Sequence, residues 1–368
     1  MLKFQRFGFV LVGFLLFFVQ GCAKEAQWLE TDSVPLVSGS LLEAGNFEKV
    51  WGNKLPLKQF ENLTELRVVG NRVYILSEQN YVFALSKATG TIVFSRPLSA
   101  AGMPMVGLEL HDDKLFSLIG NRLIEIEPEF GKEISSRNLV FNITCPAVRN
   151  DNYFYIAGSD SRLHALRSKD KVQVFEASSG VGSLITSMVA DDKFLVFATD
   201  AGDVKSIAPD DPRQLWSFKA GQAVVGPVVR QGKWLYVASA DTNVYKINIF
   251  TGKLAWIYKS GAVLGRGPAV TKNIVYQYVH NRGLAAISNR SGKLLWQLDR
   301  GIDLLAESAG MAYVITGTGE LVTMDNKTGK QLNSVVIDLV SKYVVNTEDE
   351  NIYIADQSGR ISCIKPVK

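Results

Sequence analysis

Residues 244–256 read VYKINIFTGKLAW, and this stretch contains the pattern that decides the fold. A short apolar strand ends at Ile247, Thr251 and Gly252 form a tight turn, and a further strand carries Trp256. Glycine supplies the positive φ that such a turn requires. The turn and aromatic residue recur elsewhere, as Thr89-Gly90 before Phe94 and Ser291-Gly292 before Trp296.

The same unit occurs eight times, at intervals of 37 to 42 residues. One strand of each unit is centred on Tyr74, Phe116, Tyr155, Val196, Tyr236, Tyr276, Tyr313 and Tyr353. The next strand ends on Leu85, Ile126, Leu166, Ile207, Ile247, Ile287, Met324 and Ile364. With an apolar stretch upstream, each unit holds four short strands and no helical pattern. Such repeats predict an all-β, eight-bladed propeller of four-stranded antiparallel blades, with a linear solenoid as the competing architecture.

The two ends of the chain predict that the ring is closed. The last unit stops after its third strand, at residues 364–366, so its fourth strand is missing. Residues 48–51 resemble the fourth-strand pattern of residues 293–296, and no earlier strand precedes them. An N-terminal strand that completes the last blade removes an exposed edge. We therefore assign residues 47–368 to the propeller.

The N-terminus has the pattern of a secretion signal. Lys3 and Arg6 precede an apolar run over residues 7–19, and Cys22 follows Gly21. Residues 19–22 resemble a bacterial lipobox, although an ordinary signal peptide is the alternative. We expect residues 1–21 to be a lipoprotein signal peptide, Cys22 to be lipidated and residues 22–46 to form a tether. By resemblance to lipoprotein sorting signals, the residue after Cys22 favours the periplasmic face of the outer membrane.

Charge and cysteine usage exclude several functional classes. The chain has 40 basic and 36 acidic residues, and no basic tract interleaved with aromatic residues, so nucleic-acid binding is not expected. Cys145 and Cys363 are far apart and would pair only if their blades met. The three histidines, His111, His164 and His280, fall in different units, so the sequence predicts neither a metal site nor a catalytic triad.

Residues 244–256 and 284–296 resemble the repeat of quinoprotein-type propellers. Together with the lipobox, the regular ring resembles the BamB family of propeller lipoproteins, which serve the outer-membrane β-barrel assembly machine. The resemblance implies a non-catalytic scaffold without a cofactor, held at the membrane by its lipid. It also implies binding to the periplasmic domains of the barrel-forming subunit and assistance to unfolded outer-membrane clients. In such propellers the tryptophan packs between adjacent blades.

The resemblance also suggests partner-binding residues. In the family, the contact uses loops before the innermost strands of two adjacent blades, with a Leu-x-Leu-Arg stretch and then an Asp-rich one. The nearest matches here are residues 263–266 and 300–304, which make Leu264, Arg266 and Asp303 the candidates. The spacing differs from the family pattern, and only one aspartate is present. Two solvated loop charges are the alternative interpretation.

Two other functions are weighed against the scaffold. A quinoprotein dehydrogenase would need Ca²⁺ ligands at the axis, basic residues on the quinone and commonly an adjacent cysteine pair. The sequence has no such pair, and its regular spacing leaves little room for a pocket, so we expect no enzyme activity. A propeller that binds another periplasmic protein, a peptide or a glycan remains the second alternative.

Overall fold

The computed structural model of the chain describes residues 35–100, 102–103 and 105–367. These residues form eight separate four-stranded sheets, and neighbouring strands within each sheet are antiparallel. Helix α1 spans Gly39–Ala44 and strand β1 spans Phe47–Lys54, both ahead of the first whole blade.

Blades one to seven each use four consecutive strands, in sequence order across the sheet. Blades one to four comprise β2 (Leu63–Val69), β3 (Arg72–Ser77), β4 (Tyr81–Ser86), β5 (Ile92–Pro97), β6 (Met105–His111), β7 (Lys114–Ile119), β8 (Arg122–Ile126), β9 (Glu133–Asn138), β10 (Val148–Arg149), β11 (Tyr153–Gly158), β12 (Arg162–Arg167), β13 (Gln173–Ser178), β14 (Ile185–Asp191), β15 (Phe194–Thr199), β16 (Asp203–Ile207) and β17 (Gln214–Lys219). Blades five to seven comprise β18 (Val229–Gln231), β19 (Trp234–Ala238), β20 (Asn243–Asn248), β21 (Leu254–Lys259), β22 (Ala269–Val270), β23 (Ile274–Val279), β24 (Gly283–Ser288), β25 (Leu294–Leu298), β26 (Gly301–Ser308), β27 (Met311–Thr316), β28 (Glu320–Asp325) and β29 (Gln331–Val336). Blade eight comprises β30 (Lys342–Tyr343), β31 (Ile352–Ala355), β32 (Arg360–Pro366) and β1.

The first strand of each blade lies towards a common axis. β2 contacts β6, β10 contacts β14, and β18 contacts β22. β2 also contacts β30, so the first and last blades are neighbours. The fourth strands form the rim, where β9 and β21 are mostly exposed. The predicted eight-bladed propeller is therefore confirmed, and the solenoid is wrong.

Strand β1 closes the ring as predicted. It pairs antiparallel with β32 along its length, from Phe47 opposite Pro366 to Lys54 opposite Arg360. An ion pair of 3.0 Å between Lys365 and Glu48 lies on this pairing. The N-terminal strand thus satisfies the edge that the last blade would otherwise expose.

The hydrophobic core lies between blades. All eight residues on which the repeat is centred lie in second strands and are buried. One cluster shows the arrangement, because it joins Tyr276 and Trp296 of blade six to Val314 of blade seven. A single blade would leave these residues exposed, so the sheets are stabilised by stacking around the axis.

The tryptophan of one blade packs on the glycine turn of the next. A Cβ added to Gly252 would lie 2.8 Å from the ring of Trp216, and one added to Gly292 would lie 2.8 Å from Trp256. The indole Nε1 of Trp216 also donates to the carbonyl oxygen of Ile249 at 2.8 Å. Glycine is required here both for its positive φ and for the space that the indole fills.

The junction of blades two and three uses a buried ion cluster instead. The carboxylate of Glu125 lies 2.5 Å from Nζ of Lys171 and 3.4 Å from Nη1 of Arg149. The guanidinium of Arg149 also covers the ring of Phe154. Burial acts to raise the pKa of Glu125, but hydrogen bonds from Lys171 and Ser135 and the two cations lower it overall.

Lys246 lies in the third strand of blade five, at the position that Glu125 occupies in blade two. It is buried without a carboxylate partner among the described residues. Its Nζ donates to the carbonyl oxygen and to Oδ1 of Asn289, each at 2.7 Å, and lies 4.7 Å from the ring centroid of Trp234. Burial lowers the pKa of Lys246.

The two described cysteines, Cys145 and Cys363, are unpaired and buried in blades three and eight. Because the ring separates these blades, the two thiols do not meet. Burial raises the pKa of both thiols to about 12.

The segment before β1 is folded, which moves the predicted boundary of the tether. Ser38 caps α1 by accepting a hydrogen bond from the backbone N–H of Leu41. Leu36, Val37 and Leu42 are buried in a cluster with Ile337 of blade seven and strands of blade eight. Residues 35–46 therefore belong to the propeller, because their apolar side chains cover the groove between these blades.

The disc has two faces of different construction. We call the turn face the side that carries the turns between strands one and two and between strands three and four of each blade. We call the loop face the opposite side, which carries the turns between strands two and three and the loops that link blades. Backbone hydrogen bonds tie each face together, as from Asn289 to Asn273 on the turn face and from Gly317 to Arg300 on the loop face, each at 2.9 Å.

Candidate partner-binding site

Two Gly-Pro dipeptides position the backbone around Arg266 on the loop face. Gly226-Pro227 and Gly267-Pro268 lie at equivalent places in blades five and six, just before the first strand. A Cβ on Gly226 would lie 2.3 Å from the backbone nitrogen of Gly267, and a Cβ on Gly267 would lie 2.3 Å from the carbonyl oxygen of Pro227. Larger residues would push the two loops apart, so these glycines hold Arg266 in place.

Arg266 belongs to a polar network that spans three blades. Its Nη1 lies 3.1 Å from Oδ2 of Asp303 in blade seven, and the hydroxyl of Tyr343 in blade eight donates to the same oxygen at 2.7 Å. The guanidinium also lies 4.9 Å from the ring centroid of Tyr278. Buried Gln277 donates its side-chain N–H to the carbonyl oxygen of Arg266 at 3.0 Å. The structure therefore brings together the two charges that the sequence suggested separately.

The guanidinium of Arg266 is only partly occupied by the network and remains accessible at the surface. The side chain of Arg266 is 53% exposed, whereas that of Asp303 is 23% exposed. Burial raises the pKa of Asp303, and the hydrogen bond from Tyr343 and the charge of Arg266 offset this only in part. Burial and the charge of Asp303 raise the pKa of Tyr343. The remaining guanidinium N–H groups of Arg266 can bind a carboxylate or carbonyl of a partner.

Leu264 does not share this surface, which corrects the sequence-based choice. Its side chain is 1% exposed and packs in a cluster with Tyr236 and Val275 between blades five and six. The preceding Val263 is the exposed apolar residue of the loop, at 58%. Asp303 also differs from expectation, because it lies within β26 and not in the loop before it.

The loop face carries a ring of exposed apolar side chains that the sequence does not predict. Each lies in the loop or segment that leads into the first strand of a blade, and seven of the eight blades have one. They are Phe60, Met103, Val140, Val181, Val225, Val263 and Leu339. Exposed apolar groups collected on one side of a protein mark an interaction surface. We call these seven residues the apolar ring.

Known proteins that are similar to this chain are assembly factors by name. A family model described as "Outer membrane protein assembly factor BamB" matches residues 200–368. The proteins of that name from Yersinia pestis and Salmonella typhimurium strain LT2 are 28% and 29% identical to the chain, over 173 and 255 residues.

Over residues 200–368 the chain is similar to the BamB family. The aligned regions cover 43% and 50% of this chain and 44% and 64% of the two relatives, so the chain spans about half to two thirds of the length of the curated relatives it matches. The predicted resemblance to BamB is confirmed.

Solved structures support the propeller fold alone. The crystal structure of BamB from Moraxella catarrhalis has a TM-score of 0.67 and 14% identity, covering 87% of this chain and 97% of that one. The computationally designed Ika8 protein has a TM-score of 0.68 and 16% identity, covering 86% of this chain and 99% of that one. The same fold thus occurs in a BamB protein and in a designed one.

Cys22 lies outside the described residues, as do residues 1–21 and the first part of the tether. Lipidation of Cys22 therefore stays a prediction. Among residues 35–367, apart from the two gaps given above, no helix is long and apolar enough to cross a membrane.

The structure also brings together three ionisable side chains that the sequence does not predict to be neighbours. Ligand atoms of His111, Asp112 and Asp151 lie within 4.8 Å of one another, where half-buried His111 ends β6 and the two exposed aspartates lie in turns of blades two and three. The imidazole Nε2 of His111 lies 3.0 Å from Oδ1 of Asp151. His111 and Asp151 are 40 residues apart, which is one repeat, so the ring brings together residues that the sequence separates.

Proposed function

We propose that this chain is a non-catalytic scaffold of outer-membrane β-barrel protein assembly. In this proposal the loop face binds the periplasmic domains of the barrel-forming subunit and assists the insertion of outer-membrane proteins. The observation that carries the proposal is the Arg266–Asp303–Tyr343 network, which presents an exposed arginine from a rigid three-blade surface. The names of the BamB relatives, which describe assembly factors, support it.

The composition of the network suits a protein contact. Arginine and tyrosine, with tryptophan, are enriched among the few interface residues whose removal costs about 2 kcal/mol or more of binding. The disc holds Arg266 in place through Gln277 and the Gly-Pro contacts, so little side-chain or loop entropy is lost on binding. Val263 beside it contributes exposed apolar surface to the same contact.

The apolar ring is our proposed contact for unfolded clients. Outer-membrane strands alternate apolar and polar residues, so a client segment presents apolar side chains at every second position. Spaced apolar side chains around one face can hold such a segment without a sequence-specific pocket. We place this activity at the periplasmic face of the outer membrane, with a lipid on Cys22 as the anchor.

A charge swap tests the partner contact while keeping an ion pair between positions 266 and 303. Arg266→Glu with Asp303→Arg keeps an ion pair in place but reverses the charge at the exposed position. We expect this protein to fold and to lose co-purification with the barrel-forming subunit. The matched control is Asp203→Lys with Lys219→Asp, which swaps an ion pair of 3.2 Å on the loop face of blade four. If the variant with Arg266→Glu and Asp303→Arg still bound the barrel-forming subunit, or if the control variant lost binding equally, the proposed contact at Arg266 would be refuted.

Deletion of the gene tests the biological role. Quantitative proteomics of the outer membrane should show a broad loss of β-barrel proteins, whereas an unchanged profile would refute the assembly role. A high-salt wash should release a Cys22→Ser protein from the membrane, whereas the lipidated parent should stay bound. Membrane association of that variant that resists the wash would refute the lipid anchor.

The apolar ring also supports a second candidate, which is binding of another periplasmic protein, a peptide or a glycan. Pull-down with the full chain would favour this candidate if it recovered such a partner without the barrel subunit. For a quinoprotein dehydrogenase, the purified protein should change its absorption spectrum on addition of quinone and Ca²⁺. We expect no change.

A further inference from the structure

The turn face of blades five to seven carries a sector of exposed basic side chains. All seven lie in, or directly beside, the turns of these blades: Lys233, Lys253, Lys272, Arg290, Lys293, Lys327 and Lys330. We call them the basic sector. They are on the side of the disc opposite Arg266 and the apolar ring.

Hydrogen bonds between turns hold the basic sector in one surface. In blade five the backbone N–H of Ile249 donates to the carbonyl oxygen of Lys233 at 3.0 Å. In blade seven the N–H of Asn326 donates to Gly310 at 3.0 Å. In blade six the side chain of Asn289 donates to the carbonyl oxygen of Lys272 at 3.3 Å. The two turns of each blade are therefore fixed side by side, and their tips form a broad, shallow surface.

Few acidic groups within blades five to seven offset the positive charge of this surface, whereas blade eight, next to blade seven, carries Glu348, Asp349 and Glu350 in its own turn. On the turn face of blades five to seven the acidic residues are Glu307 and Asp325, against the seven basic ones. Glu307 accepts hydrogen bonds from Thr271 and Tyr276, and Asp325 accepts hydrogen bonds from the backbone N–H of Lys327 and from Thr328. Within the described part of the chain, the ion pairs found do not include any residue of the basic sector.

The charge is also unevenly distributed around the face. Aspartates occupy the corresponding turns of blades two to four, at Asp112, Asp113, Asp151, Asp192, Asp210 and Asp211. The turn face is thus basic in blades five to seven and carries acidic groups on both sides of them, in blades two to four and in blade eight. A negatively charged surface would attract blades five to seven and leave blades two to four outside the contact.

We propose that the basic sector binds the surface of an anionic phospholipid bilayer. Six of its seven cations are lysines, whose flexible, hydrated ammonium groups suit a diffuse layer of phosphates, whereas paired recognition of carboxylates on an acidic protein favours arginine. Phe250, 53% exposed, stands in the turn beside Lys253 and can enter the headgroup region. A lysine-rich surface with one projecting aromatic residue is the composition of a peripheral membrane contact.

The orientation that results leaves the loop face accessible. A bilayer against the turn face of blades five to seven contacts neither Arg266 nor the apolar ring. The lipid contact therefore does not depend on the proposed partner contact. Either one can fail in experiment while the other holds.

Vesicle flotation of the full chain carrying Cys22→Ser tests the contact without the predicted lipid. We expect binding to vesicles of phosphatidylethanolamine with phosphatidylglycerol, and none to phosphatidylcholine vesicles. Replacing Lys253, Lys272 and Lys293 by glutamine should weaken binding by about fivefold per lysine, or on the order of a hundredfold together. Added salt should weaken the binding of the parent protein further.

A second triple variant distinguishes the effect of the basic sector on vesicle binding from the effect of the protein's net charge. Lys54, Lys219 and Lys259, replaced by glutamine, remove the same charge from exposed positions outside the basic sector. This variant should keep nearly all vesicle binding. Failure of the parent to bind anionic vesicles, or equal loss in both variants, would overturn the proposal. Binding to soluble polyglutamate without binding to vesicles would also overturn it, in favour of an acidic protein partner.

Discussion

Replacing Gly90 with alanine should destabilise the ring chiefly through Trp51. Gly90 has a φ of +69°, and a Cβ there would lie 2.3 Å from Cε3 of Trp51, which comes from the closing strand β1. The left-handed backbone costs an alanine about 1 kcal/mol, and displacing a packed side chain costs about 1–3 kcal/mol more. We expect Gly90→Ala to lower the free energy of unfolding by about 2–4 kcal/mol.

The cost should shrink when the indole is absent. Trp51→Ala alone should lower the free energy of unfolding by about 3–5 kcal/mol, because it removes a buried ring and its hydrogen bond of 2.9 Å to the carbonyl oxygen of Lys87. In that background Gly90→Ala keeps only its backbone cost of about 1 kcal/mol. The two substitutions should therefore couple by about 1–3 kcal/mol.

Urea unfolding of the four proteins, followed by far-ultraviolet circular dichroism, measures the coupling. Gly310→Ala is the control, because Gly310 has a φ of +81° and a Cβ added there would meet nothing within 4 Å. It should cost about 1 kcal/mol, with or without Trp51. Additivity of Gly90→Ala and Trp51→Ala within about 0.5 kcal/mol would refute the view that this contact joins blades eight and one.

Three further predictions concern buried ionisable groups. Burial lowers the pKa of Lys246 in the folded protein below its ordinary 10.5. Between the folded-state and unfolded-state pKa values the unfolded chain binds more protons, so the free energy of unfolding should rise with pH in that window. Lys246→Met should flatten this rise in urea midpoints, and an identical pH profile would contradict the assignment. Glu125→Gln should lower stability by about 3–5 kcal/mol, because it leaves two buried cations without their carboxylate; urea unfolding showing less than about 1 kcal/mol would argue against the cluster. Cys145 and Cys363 should react with a thiol reagent only after unfolding, since both are buried and their pKa is raised to about 12; rapid labelling of the native protein would contradict their burial.

Much of the fold was predictable because each blade repeats a local pattern. Alternation of apolar residues placed the strands, and the Thr-Gly turns required glycine at defined positions. The missing fourth strand at the C-terminus predicted closure by residues near Trp51, which the pairing of β1 with β32 confirms. These features follow from short-range periodicity, which a sequence displays directly.

The candidate site depended on tertiary structure. Loops have no periodicity, so the sequence could not distinguish buried Leu264 from exposed Val263. Tyr343 meets Asp303 across 40 residues only because the ring sets successive blades side by side. The sequence by itself thus determined the number of blades and the closure of the ring. Only the closed ring decided which loop residues share a surface, because inter-blade contacts join equivalent positions one repeat apart.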